Sequence, residues 1–144
     1  MIVGPLTAAD RPRWTELWQQ YLEFYETVMP PAIYDHTWSR LIEGRELHGL
    51  AARDGDAILG ITHFLYHPSG WTLTPVCYLQ DLFTDSAHRG RGVARALIAA
   101  VGDQARAAGS TRMYWLTQSH NSTARALYDK IAKHSGFIRY EYPI

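Results

Sequence analysis

Leu79-Gln80-Asp81-Leu82-Phe83-Thr84-Asp85-Ser86-Ala87-His88-Arg89-Gly90-Arg91-Gly92-Val93-Ala94 passes from an apolar, strand-like run through a polar turn into a loop of glycine and arginine. That loop opens on an amphipathic helix. Such an order aims backbone N–H groups and the positive end of a helix at one point, which makes a seat for phosphate. Gly90 and Gly92 allow backbone angles that a side chain forbids, and they let a ligand come close. The helix adds roughly half a positive charge at its first turn. Arg89, Arg91 and Arg95 add forked donors matched to phosphate oxygens. Two glycines on a solvated basic loop would by themselves mark only a turn. The strand before, the helix after and the three arginines favour a pyrophosphate site. A Rossmann dinucleotide loop fits less well because its third glycine is missing, and no Gly-Lys-Ser/Thr follows to make a Walker loop.

Outward from this stretch the chain reads as mixed α/β. Ile2-Val3 can begin a first strand. Asp10 stands where a helix N-cap would, with Pro12 just inside. Trp14, Leu17, Trp18, Tyr21, Leu22 and Tyr25 keep helical spacing and form one broad apolar face. Pro30-Pro31 ends that helix, and a short second one spans Asp35 to Ile42. Leu47 to Ala52 and Ala57 to Tyr66 read as a hairpin about Asp54-Gly55-Asp56, with a possible bulge at Gly60. Pro75 to Thr84 is the next strand, and Val93 to Ala108 is a helix stopped by Gly109. Met113 to Leu116 is a short strand, Asn121 to about Lys133 a helix, and Phe137 to Tyr142 a last strand. No repeat or linker interrupts residues 1–144, so one domain is expected.

Composition limits the function classes. Lys and Arg balance Asp and Glu at 14 each, which gives no global pull toward nucleic acid or an anionic membrane. Hydrophobic residues make up 47% of the chain, enough for an ordinary core. Cys77 is the single cysteine, so no internal disulfide forms, as fits a reducing cytoplasm. The N-terminus has no signal-peptide pattern, and the apolar run Ala96 to Val101 is too short to span a bilayer. His63 and His67 lie in a strand-like run, where a four-residue separation is about 13 Å. No metal site is expected there, and none elsewhere.

Arg89-Gly90-Arg91-Gly92-Val93-Ala94 resembles the Arg/Gln-x-x-Gly-x-Gly/Ala signature of the GCN5-related N-acetyltransferases (GNAT). Downstream, Asn121-Ser122-Thr123-Ala124-Arg125-Ala126-Leu127-Tyr128-Asp129-Lys130 and Ser135-Gly136-Phe137 resemble that family's Asn-x-x-Ala-x-x-Leu/Phe-Tyr-x-Lys and Gly-Phe patterns. The likeness is specific from about Cys77 to Tyr140. The spacing from Tyr128 to Gly136 exceeds the commonest one by about a helical turn, so the helix is expected to lengthen. This delayed Gly-Phe resembles the subgroup that holds a histone and polyamine acetyltransferase of yeast, which hints at amine substrates and a homodimer.

The resemblance implies the acyl-CoA N-acyltransferase fold, an α+β mixed, mostly antiparallel sheet of about six or seven strands with two helices on each side. It implies acetyl-CoA as co-substrate, with the pyrophosphate on the loop of Arg89, Gly90, Arg91, Gly92, Val93, Ala94 and Arg95. The pantetheine arm would lie along Leu82, Phe83 and Thr84, with Asn121 nearby. The strands before and after the loop are expected to splay. Tyr128 matches the acid that protonates the leaving thiolate.

A lysine-like amine is mostly protonated at neutral pH and must lose a proton before it attacks. Asp81 on the coenzyme strand and Glu23 or Glu26 on the first helix are candidates to take it, and the two glutamates are also candidates for substrate contact. A backbone N–H between Leu82 and Thr84 is the expected donor to the developing oxyanion. Tyr21 and Tyr25 read as part of the core stripe. Two other readings stay open: a non-catalytic acyl-CoA-binding module, and a nucleic-acid module using Arg89, Arg91 and Arg95.

Overall fold

The computed structural model describes all 144 residues. Five strands, β1 (Ile2–Pro5), β2 (His48–Asp54), β3 (Ala57–His67), β4 (Val76–Thr84) and β5 (Met113–Tyr114), form one sheet in chain order. The first four are antiparallel, and β5 runs parallel to β4. Four helices flank them: α1 (Arg11–Phe24), α2 (Pro31–Glu43), α3 (Val93–Ala107) and α4 (Ser122–Ile131).

The helices divide two and two. On one face Trp14, Leu17, Trp18 and Leu22 of α1 and Trp38 and Leu41 of α2 pack on Ile58, Ile61 and Phe83. On the other, Val93, Leu97, Ile98, Val101 and Ala105 of α3 cover Leu59, Phe64, Cys77 and Leu79, and Leu127, Tyr128 and Ile131 of α4 lean against them. Gly60 lets α3 come this close. A Cβ there would stand 2.7 Å from the Phe83 carbonyl oxygen and 2.8 Å from Val93 Cγ1.

Several expectations shift. Pro30-Pro31 does not end α1, which closes earlier with Thr27 N–H on the Leu22 carbonyl (2.9 Å). Pro31 instead opens α2, where a missing N–H costs nothing. Asp10 makes no side-chain cap to α1. Its carboxylate accepts from Thr7 N (2.6 Å) and from both Arg53 nitrogens (2.9 and 2.7 Å). The bulge beside Gly60 falls at Leu59, since Arg53 pairs with Ile58 while Ala52 pairs with Gly60.

The sheet has five strands, not six or seven. Phe137 to Tyr142 forms no strand, because no neighbour takes up its backbone hydrogen bonds. Phe137, Ile138, Tyr140 and Tyr142 are exposed. Nor does α4 lengthen. It ends at Ile131, and the extra residues follow it as irregular chain.

Candidate active site

β4 and β5 pair only at Cys77–Met113 and Tyr78–Tyr114, and then they part. The gap is a narrow cleft. Leu79, Gln80 and Leu82 line it from β4, Trp115 to Thr117 from the departing chain, Tyr21 from α1 with its C-cap Tyr25, and Tyr128 from α4. Tyr21 and Tyr25 are therefore cleft wall as well as core, a correction to the stripe reading. Their rings meet edge to face with centroids 5.0 Å apart.

Tyr128 is half-buried and packs edge-on against Trp115 at 5.3 Å. Burial, helped by the neighbouring Tyr25, pushes its phenol up to about 12. The hydroxyl thus keeps its proton at any ordinary pH and can donate it.

Asp81 reaches its place through a bulge. His63 pairs with Asp81 and Phe64 with Leu79, so Gln80 is the extra residue of β4. An extra residue reverses the strand's alternation. Leu79 and Leu82 point to the α3 face, whereas Phe83 packs toward α1 and the Asp81 carboxylate meets a side chain of that same face. Thr62 Oγ1 donates to the Asp81 carbonyl (2.7 Å), and His63 Nδ1 lies 2.9 Å from Asp81 Oδ2. Burial first, and then the negative charge of nearby Asp81, raise the Tyr21 phenol far above its usual range.

The glycine loop has the conformation its composition requires. Gly90 and Gly92 take φ of +74° and +79°, and nothing lies within 4 Å of a Cβ built on either. Gly92 caps α3 with no side chain satisfying the first amides of the helix. Arg89 and Arg95 are exposed, and Arg91 donates to His88 Nδ1 (2.9 Å) and lies 3.5 Å from Asp54. Free amides, open glycines and arginines make a seat that fits a diphosphate.

The other candidates divide. Leu82 faces the cleft, Phe83 is core, and Thr84 Oγ1 is buried without a partner, so backbone is what this segment has to offer. Asn121 caps α4, with its Oδ1 accepting from Ala124 N at 3.3 Å. Glu23 lines a separate groove between α1 and α2 with Arg11, Gln19 and Tyr34, and Glu26 is exposed just after α1. Neither glutamate is on the cleft wall. No cluster of three or more His, Cys, Asp or Glu suited to a metal is present.

Comparison with known proteins agrees with this geometry. The acetyltransferase (GNAT) family model matches residues 11–132. The D-amino-acid N-acetyltransferase HPA3 of Saccharomyces cerevisiae is 35% identical across 98% of this chain and 89% of its own. The thialysine N-epsilon-acetyltransferase of Caenorhabditis elegans is 32% identical across 62% of this chain and 56% of its own. Among solved structures, a probable acetyltransferase superposes with a TM-score of 0.86 at 23% identity, covering 100% of this chain and 98% of that one. AAC(6')-Iy in complex with the bisubstrate analog CoA-S-monomethyl-acetylneamine also gives 0.86, at 18% identity over 99% and 97%. The two structures share the fold, and the family match and the yeast relative carry the kinship further: the chain belongs to the GNAT acetyltransferase family and is an N-acetyltransferase that uses acetyl-CoA.

Proposed function

We propose that a neutral primary amine attacks the acetyl-CoA thioester directly in the cleft between β4 and β5, with Tyr128 as general acid and Asp81 as the group that takes the amine's proton. One observation carries this reading. The parted strands leave a cleft lined by Tyr128 of α4 and by Tyr21 of α1, whose ring lies 6.2 Å from that of Phe83, two residues beyond Asp81 on the α1 face of β4. Arg89, Gly90, Arg91, Gly92, Val93, Ala94 and Arg95 hold the diphosphate, the backbone of Leu82 to Thr84 lies along the pantetheine arm and polarises the thioester oxygen, and Asn121 flanks it. Asp81 is preferred to Glu23 and Glu26 because both glutamates are exposed, whereas Asp81 is half-buried between Gln80 and Leu82 of the cleft wall and is held by His63. The acceptor is a small amino compound. The names of the yeast and nematode relatives support that class.

Tyr128→Phe should cut kcat about 100-fold, the scale of a lost general acid, with acetyl-CoA affinity by calorimetry unchanged. Unchanged turnover would remove the acid role. Because a phenol pushed up to about 12 loses its proton only near that pH, Tyr128 should impose no alkaline fall in kcat below about pH 10. Gly92→Trp should abolish acetyl-CoA binding while circular dichroism stays native. We extend the reading to a homodimer in the cytoplasm, with no nucleic acid or membrane partner. The exposed apolar run from Phe137 to Ile144 and the free thiol of Cys77 support it. A monomer by light scattering at micromolar concentration would remove the dimer.

A further inference from the structure

Asp81 is held from behind by a side chain that no motif marks. His63 is fully buried on β3, directly across from Asp81. Its Nε2 receives the Trp14 indole N–H at 2.8 Å, and its Nδ1 faces Asp81 Oδ2 at 2.9 Å. An indole nitrogen can only donate. Nε2 must therefore be bare, and the ring proton sits on Nδ1 and points at the carboxylate. A doubly protonated ring would set two N–H donors head to head against Trp14. The groups facing the pair are Trp14, Trp18 and Tyr21 of α1, its C-cap Tyr25, and Tyr78 of β4.

Asp81 is not itself on the cleft wall, but Tyr21 is, and its ring lies 6.2 Å from that of Phe83 on the same face of β4 as the Asp81 carboxylate. We propose that the amine proton reaches Asp81 through the Tyr21 hydroxyl, and that His63, locked by Trp14, is a positioning residue that fixes Asp81 for that transfer. This rests on Asp81 as the proton acceptor. The balance is complete. The amine nitrogen forms the new C–N bond and gives a proton to the Tyr21 oxygen, whose own proton passes to Asp81. The C–S bond breaks, the thiolate takes the Tyr128 proton, and the proton on Asp81 returns through solvent to the Tyr128 phenolate, which resets both groups. His63 neither gains nor loses a proton. Its Nδ1–H keeps one carboxylate oxygen occupied and leaves the other free to take the proton.

Two measurements test this. In the wild-type protein, ¹⁵N–¹H correlation should find His63 as the Nδ1–H tautomer; an Nε2–H ring or an imidazolium at pH 7.5 overturns the proposal. In variants, His63→Leu and Tyr21→Phe should each lower kcat at least about tenfold, the worth of a hydrogen bond to a charged group. Acetyl-CoA affinity should stay unchanged. His63→Asn, whose amide N–H replaces Nδ1–H, should restore kcat to within about threefold of wild type. Equal losses in the Leu and Asn variants would mean His63 only packs, and wild-type turnover in the Leu variant would also overturn the proposal. Asp81→Asn separates the two readings. If it turns over normally, the proton-acceptor assignment falls and this proposal with it. If it is slow while His63→Leu is not, the positioning role alone falls.

Discussion

Glu26 and Gly109 occupy the same structural position, one past the cap of α1 and of α3, with φ of +52° and +85°. The hydrogen bonds are the same at both ends. Glu26 N donates to Glu23 O and Thr27 N to Leu22 O, as Gly109 N donates to Arg106 O and Ser110 N to Ala105 O. This is the Schellman closure, which favours glycine because a Cβ crowds the carbonyl in left-handed backbone. Glu26 therefore carries strain that Gly109 does not. It sits at the mouth of the α1–α2 connection, one residue from a cleft tyrosine. Glu26→Gly should raise unfolding stability in urea by about 1 kcal/mol, whereas Gly109→Ala should lower it by a similar amount. Glu26→Gly also tests the glutamate for substrate contact. On the assignment of Asp81, turnover stays at the wild-type level, and a rise in the acceptor's KM would return Glu26 to the site.

At the scale of elements, Gly60 sets how deeply α3 seats in the sheet, and the start of α3 is the phosphate seat proposed above. The Phe83 carbonyl and the Val93 side chain leave no room for a methyl at Gly60. Gly60→Ala should destabilise by about 2 kcal/mol through overpacking and weaken acetyl-CoA binding by moving Val93. Gly4→Ala is the control, with nothing within 4 Å, and should change stability by less than about 0.5 kcal/mol. The same elements show what the chain discloses unaided. Helical spacing from Trp14 to Tyr25 and from Val93 to Val101 locates α1 and α3, and the arginine–glycine loop marks the open turn that leads into α3, because each depends on residues near in sequence. The pair His63–Asp81 does not disclose itself. It exists only through a hairpin register and a bulge at Gln80, and both depend on contacts remote in sequence. A Thr-His pair inside the apolar run from Ile58 to Leu65 was the available signal. Phe137 to Tyr142 misleads for the complementary reason: its apolar, aromatic content suits a strand, but a strand also needs a neighbour to pair with.

Across the molecule, ion pairs gather at the end of the sheet that carries the glycine–arginine loop. Asp10, before α1, grips Arg53 at the end of β2. Arg13 of α1 pairs with Asp85, just past β4, and Arg91 of the loop faces Asp54 at the β2–β3 turn. These contacts fix α1 to the sheet beside the loop, so the cleft wall and the seat keep their spacing. Their pH dependence follows from two carboxyls. The Arg53 guanidinium holds Asp10 below its ordinary 3.8, and the Ala87 N–H, followed by Arg13, does the same for Asp85. A carboxyl depressed by folding stabilises the native state fully above its unfolded value. That stabilisation is lost as pH falls through the lower, folded value. Urea denaturation should therefore give the same contribution from both pairs between about pH 7 and pH 5, and a progressive loss below about pH 4. Asp10→Asn and Asp85→Asn should each lower stability at neutral pH and flatten the acid decline. Asp10→Asn should also leave kcat unaltered, since Asp10 touches neither the cleft nor the loop. An acid decline equally steep in the double variant would show that other groups govern acid unfolding. The two clamps would then serve geometry alone.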